Sequence, residues 1–438
     1  MSIREATIAV NRFGLGARPG DIAKISKDPR GWLKGQLKPD APPIREFAAL
    51  KPSGETIMML AALRKGGAEV RDQRNQMQRD TYKVEMAARC LVAVRTEMPF
   101  RERLVRFWSN HLAVSTSRGE VRSMAGAYER EAIRPWVCGK FEQMLLSSAR
   151  HPAMLVYLDN LRSVGPNSKV GSKRERGLNE NYARELMELH TLGVRGGYSQ
   201  EDIIELAKIL TGWGIERRDG IRVGFQFDGA RHEPGNKTVL GKRYREGEES
   251  GRQVIRDLVH HDSTGKLLAT KLARHFIADD PPPKAVDRIA KAFKSSRGDL
   301  GKTAEALVDC PEAWEKSLTK LKTPEDLVSS TARALGYDTD GLPNLESVKY
   351  LGQLPFSAPS PQGWADRAEE WLGPEAILTR VEWAEQVGME STERIEDPVG
   401  FGEDILGELS KTTRRAVASV SKSDALALVL ASPEFQRR

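Results

Sequence analysis

The sequence predicts a mainly α protein: a large, multi-helix, bundle-like fold with a small β-hairpin insertion at about residues 215–240. Three observations support this. Apolar residues recur at helical spacing through most of the 438 residues. One stretch, Ile215 to Phe227, instead alternates around Asp219-Gly220, a strong hairpin signal. Hydrophobic residues make up 39% of the chain, enough for an ample core. The expected division is a helical lobe over 1–213, the β insertion over 214–245, and a second helical lobe over 246–438.

In order, residues 5–13 are helix-like and Gly14 to Gly20 forms a turn. That turn is no dinucleotide fingerprint, because its glycine spacing is wrong and no strand precedes it. Residues 20–37 form a short helix burying Trp32, Leu33 and Leu37, followed by a Pro-rich connection from Asp40 to Glu55. A long helical pattern runs from 55 to about 96, with a polar middle expected to project. Pro99 restarts the chain at a helix N1 position. Phe100, Leu104, Phe107 and His111 then share one stripe. A histidine there is either a satisfied core group or a general base.

Residues 124–149 are helical, and His151-Pro152 opens a further apolar segment. Leu161 to Gly177 is a basic, Gly- and Ser-rich loop, read either as a solvated insertion or as a lid over an anionic ligand. After the hairpin, residues 249–277 return to helix and carry His260, His261 and His275. More helices follow Asp280. The apolar, Pro-rich loop Leu354–Trp364 is expected to pack on the core or line a cleft.

The densest chemistry lies between Asn179 and Trp213. At about 100° per residue, Leu178, Tyr182, Leu186 and Leu189 form an apolar stripe, while Asn181, Arg184, Glu185 and Glu188 share another side. Gly193 suits a left-handed C-terminal position. Ser199 starts a second helix with Asp202 as an imperfect capping box. That helix is apolar at 203, 204, 206, 207, 209 and 210, which predicts burial.

Glu185 and Glu188, three apart, bring their Cβ atoms within about 5–6 Å. Two carboxylates in a partly dry cleft cannot both ionise easily, so one becomes a proton donor. With His111 they form the expected catalytic set. Arg184, Asn181, Tyr198, Trp213 and Glu205 are the expected substrate-binding set, the aromatic rings forming walls of a sugar site. The expected activity is a carboxylate-dependent hydrolase or lyase on a glycan or other surface polymer.

Two alternatives stand beside it. One is a carboxylate/histidine metal site from Glu185, Glu188, Glu205 and His111, against which the Glu-x-x-His spacing is missing. The other is a non-enzymatic helical scaffold in which the polar row is structural. No Ser nucleophile elbow, Cys-His pair or phosphate loop appears, so acyl and phosphoryl transfer are not favoured and no cofactor is expected.

The runs NENYARELMELHTLG and GGYSQEDIIELAKILTGW resemble the signature of an uncharacterised bacterial family catalogued as domain of unknown function 1800. NRFGLGARPGD, FWSNHL, HPAMLVYLDN, HEPGNKTVLG, LGQLPFSAPSPQGW and LASPEFQRR fit in the same order. The resemblance implies extracytoplasmic work on polymers or surface material, beside a phosphatase-like partner protein; a polysaccharide or anionic polymer is the expected partner. It further tilts His111 towards function, since FWSNH matches one of its blocks.

The charge is mixed, 68 basic against 61 acidic residues for a net +7, with no nucleic-acid-binding motif, so a nucleic-acid partner is not expected. No stretch approaches the roughly 20 apolar residues of a membrane span. Cys90, Cys138 and Cys310 are far apart and read as small buried thiols. The opening Met-Ser-Ile-Arg-Glu lacks a charged region and apolar run, so the expectation from the residues is cytoplasmic, whereas the resemblance implies export.

Overall fold

The computed structural model describes residues 3–63, 67–174, 177–218, 221–315, 318–337 and 339–438. It is mainly α, 62% helix against 5% strand. A single cluster of buried side chains runs from Ala6 to Phe435. At its centre Phe13 meets Phe100 edge-on at 5.5 Å and Trp314 at 5.3 Å, while Phe100 meets Phe276 at 5.7 Å. Each buried ring contributes about 1.5–3 kcal/mol by leaving water. These contacts fasten the first residues to the helices Pro99–His111 and Asp262–Phe276. No described helix is long and apolar enough to cross a membrane. All three cysteines are free and buried.

Two antiparallel hairpins interrupt the helices. β1 (Trp213–Arg218) pairs with β2 (Ile221–Phe227), Trp213 opposite Phe227. The Asp219-Gly220 turn expected between them lies outside the described residues. β3 (Lys237–Val239) pairs with β4 (Lys242–Tyr244) across Leu240 and Gly241, both at positive φ, as a two-residue primed turn requires. The strands thus start two residues earlier and end four later than the expected insertion.

The chain from Asn179 differs from an even helix. Helix Asn181–Glu185 passes into a π-helical turn, Leu186–Thr191. A π turn inserts one extra residue, so a 100° wheel drawn from Leu178 loses register after Leu186. Met187, His190 and Thr191 are therefore buried, and Leu189 only half-buried. Gly193 ends the turn at φ +83°, and Ser199 with Asp202 closes a complete capping box on the helix Gln200–Leu210. Ile203, Leu206, Ala207, Ile209 and Leu210 are buried as expected.

A second, ionic layer holds the helices apart from the apolar core. Glu129 accepts from the buried Arg89 at 2.7 Å and Ser109 at 3.0 Å, and from the half-buried Arg134 at 2.7 Å. Burial opposes its charge, but the two guanidinium groups outweigh that and hold its carboxyl down to about 2. Arg134 also grips Glu102, and Arg89 also pairs with Glu325. Glu129→Ala removes a carboxylate shared by two guanidinium groups, each of which keeps one acidic partner, Glu102 or Glu325. We expect it to cost about 1.5–3 kcal/mol by denaturant unfolding, and a loss under about 0.5 kcal/mol would show that the network relaxes around the gap.

Candidate functional site

Helix Pro99–His111 turns Arg103, Arg106, Phe107 and His111 to one side at i, i+3, i+4 spacing. They form one wall of a cavity of about 540 Å³. Lys271, Arg274 and His275 from helix Asp262–Phe276 form a second wall, and Glu325 with Asp326 from helix Pro324–Ala334 lies at the base. The apolar loop Leu354–Trp364 and its continuation to Trp371 supply the remaining side. The loop therefore lines a cleft, one of the two fates its composition predicts.

That loop is held by its own backbone. Asn110 clamps Trp364, its amide donating to the carbonyl at 2.9 Å and its oxygen accepting the N–H at 2.7 Å. Tyr82 donates to the Pro355 carbonyl at 2.5 Å, Thr116 N–H to Phe356 at 2.7 Å, and Ser115 to Ala358 at 2.9 Å. Gly363 sits at φ +83°, where an added Cβ would lie 2.4 Å from the Asn110 carbonyl oxygen.

The loop continuation places Asp366 Oδ2 2.8 Å from His275 Nδ1. Burial pushes His275 down to about 4 despite this carboxylate. Asp366 is ionised: burial raises it, but His275, Lys320 and Arg438 outweigh burial and hold it well below the usual carboxylate range. Nδ1–H therefore donates to Asp366. The other nitrogen, Nε2, is left without a hydrogen-bond partner. Phe107 and Phe276 flank the ring at 5.3 and 4.8 Å.

His111 sits one turn beyond Phe107. Its Nε2–H donates to the His190 carbonyl at 3.2 Å, and its Nδ1 accepts from Lys271 Nζ at 3.2 Å. Burial first, and then Lys271, lower His111 well below 6.5 and push His190 down to about 3. Beneath them Asp326 takes Arg103 at 2.9 Å and Arg438 at 2.8 Å.

Of the expected site residues, His111 alone is on this cavity. Glu185, Glu188 and Arg184 are half-buried elsewhere. Arg184 reaches Glu180 at 3.2 Å and Glu188 at 3.5 Å along its own helix, and Gln200 of the next helix at 2.9 Å. Glu185 is raised by burial and then by Glu188, and the half-buried Tyr198 is raised by burial and then by Glu188. Asn181 is exposed and donates to the Leu158 carbonyl at 3.3 Å. Trp213 is buried under the Arg150 guanidinium, 5.0 Å from its ring. Glu205 accepts from Thr238 N–H at 3.0 Å and Lys208 at 2.7 Å. Glu185, Glu188, Glu205 and His111 do not gather, and no described group of three or more His, Cys, Asp or Glu residues is placed to hold a metal. The basic loop is tied by Asn167 to Glu233 at 2.6 Å, and none of its described cations lines the cavity.

The pairing of His275 with Asp366 spans 91 positions, so no local spacing announces it. The one sequence signal was the apolar loop leading into Asp366.

The fold and site define a mainly helical protein with a cation-lined, aromatic-edged cavity. The chain belongs to the family described as "Protein of unknown function (DUF1800)", whose model matches residues 8–437. No curated protein and no solved structure matches it.

Two outcomes follow from this geometry. His111, His190 and His275 are neutral when folded but take protons near pH 6.5 when unfolded. Stability is therefore full above about 6.5 and falls as pH drops towards 4, by about 1.4 kcal/mol per pH unit for each histidine. Urea unfolding between pH 7 and 5 reads this directly, and a flat profile would contradict it. Gly363→Ala is expected to cost about 1–3 kcal/mol in the same assay, because its Cβ meets backbone. An unchanged midpoint would mean that the Asn110 clamp yields freely.

Proposed function

We propose that the protein is a lyase or hydrolase acting on an acidic glycan or similar anionic polymer, with the cavity as its site. The observation carrying this reading is the His275–Asp366 pair, a neutral imidazole whose Nε2 is buried without a hydrogen-bond partner, in a cavity also lined by Arg106 and Arg274. Cations in a low-dielectric cleft offset the charge of a uronate carboxylate and stabilise the carbanion-like state that forms when its neighbouring C–H is lost. His275 accepts that proton and Asp366 stabilises the resulting imidazolium. A carbon–carbon double bond then forms, the glycosidic carbon–oxygen bond breaks, and the proton passes to the leaving oxygen. Trp364 and Trp371, 5.9 Å apart, give sugar rings flat apolar faces to lie on.

Incubation with polygalacturonate or alginate should yield product with the ultraviolet absorbance of unsaturated uronates, and a neutral glucan should yield none. His275→Asn and Asp366→Asn should each lower the rate about 10²–10⁴-fold while leaving binding of the acidic polymer nearly unchanged. Full activity in both variants would end this assignment.

One observation favours a second reading. Burial and Glu188 raise the Glu185 carboxyl, as a proton-donating acid in a hydrolase requires. In that case new reducing ends appear without unsaturation, and Glu185→Gln abolishes them while His275→Asn does not.

A further inference from the structure

Lys271 lies half-buried in the cavity wall, and its partners differ from those of the buried lysines. Lys320 pairs with Asp279 and Asp366. Lys237 donates to the carbonyls of Glu233 and Gly235. Lys322 donates to Ser330 Oγ at 3.0 Å. Lys271 Nζ meets His111 Nδ1 at 3.2 Å, and its nearest oxygen acceptor, the Leu189 carbonyl, is 3.5 Å away. No described carboxylate pairs with it.

Its neighbours disfavour an ammonium ion. Arg274 follows it by three residues on the same helix, and the His111 ring lies 6.4 Å from that of His190. Burial first, and Arg274 second, push the amine down to about 8 against the weaker pull of Asp366. About a tenth of an amine titrating near 8 is unprotonated at neutral pH, and that fraction is the nucleophile; desolvation beside a second cation is how such amines are made reactive.

We infer that Lys271 binds covalently, its amine condensing with the carbonyl carbon of a small anionic aldehyde or α-keto acid held in the cavity. The carbon–nitrogen bond forms as the carbonyl π bond opens and its oxygen takes a proton. That proton comes from water; the nitrogen gives one up to His111 Nδ1, which passes it to the new hydroxyl, and loss of water leaves a protonated imine. No oxidant or reductant takes part. The ligand's carboxylate is met by Arg106, which donates to Ser329 at 3.1 Å and to the Glu325 carbonyl at 3.4 Å, and by Arg274. This inference goes beyond the glycan reading and does not rest on the His275–Asp366 pair.

The test is reductive trapping on the whole wild-type chain. Glyoxylate with cyanoborohydride converts an imine-forming lysine to a stable carboxymethyl adduct, and glycolaldehyde serves as the uncharged comparator. Peptide mass spectrometry then reads the rate at every lysine. A lysine titrating about two units low carries on the order of a hundredfold more free amine at neutral pH. Lys271 should therefore label at least about tenfold faster than exposed lysines and prefer glyoxylate. His275→Asn should keep this fast phase while losing glycan cleavage, and Lys271→Arg, checked for native circular dichroism, should lose it. Labelling of Lys271 at the pace of surface lysines, or equally by both aldehydes, overturns the inference.

Discussion

Asp326 is the constraint on which the cavity depends. It is buried and holds two guanidinium groups, Arg103 and Arg438, contributed by helix Pro99–His111 and the end of the chain. Arg103 in turn donates to the Gly14 carbonyl at 2.5 Å, and Arg438 donates to the His275 carbonyl at 2.6 Å. One carboxylate thereby fixes the relative positions of the first turn, the cavity wall and the last residue. Desolvating these charges is expensive, and the arrangement is stable because each guanidinium also finds backbone acceptors. Removing the carboxylate would leave two cations in an apolar surround, so such a centre tolerates little change.

The same centre sets the electrostatics above it. Asp326 and Asp366 face Arg103, Arg438 and Lys320, and Lys320 also pairs with Asp279. Lys322 responds by titrating at about 7, burial lowering it first and Asp326 only partly opposing. Histidines close to such a centre gain nothing by taking a proton. This accounts for a neutral His275 beside an ionised Asp366.

How much of this was legible in the sequence follows from where each interaction is encoded. The capping box at Ser199, the C-terminal Gly193 and the buried face of Gln200–Leu210 depend on residues within a few positions of one another, and local spacing predicts them well. The stripe ending in His111 was equally legible, because it lies within one helix. The π turn at Leu186–Thr191 was not, since its apolar residues fit a 100° wheel until one extra residue intervenes. Nor was the His275–Asp366 pair, which only tertiary packing brings together. Glu185 and Glu188 drew attention because adjacent carboxylates on one helix are visible in sequence, whereas a histidine and an aspartate 91 residues apart are not. The Pro-rich loop was the useful hint: an apolar loop has no reason to face water, and here it faces a cavity.

That loop also shows how a segment without regular structure can hold a precise site. Its carbonyls accept from Tyr82, Thr116, Ser115 and Asn110, so the backbone is satisfied by the scaffold rather than by a neighbouring strand. Each such bond contributes only about 0.5–1.5 kcal/mol net, but together they offset the entropy of ordering the segment before any ligand arrives. Trp364 is fixed by Asn110, which sits next to His111, and Asp366 follows two residues later. The loop's anchor and the cavity's histidine are thus consecutive residues of one helix. Any shift of that helix moves the imidazole, the tryptophan and the aspartate together, which preserves their mutual geometry.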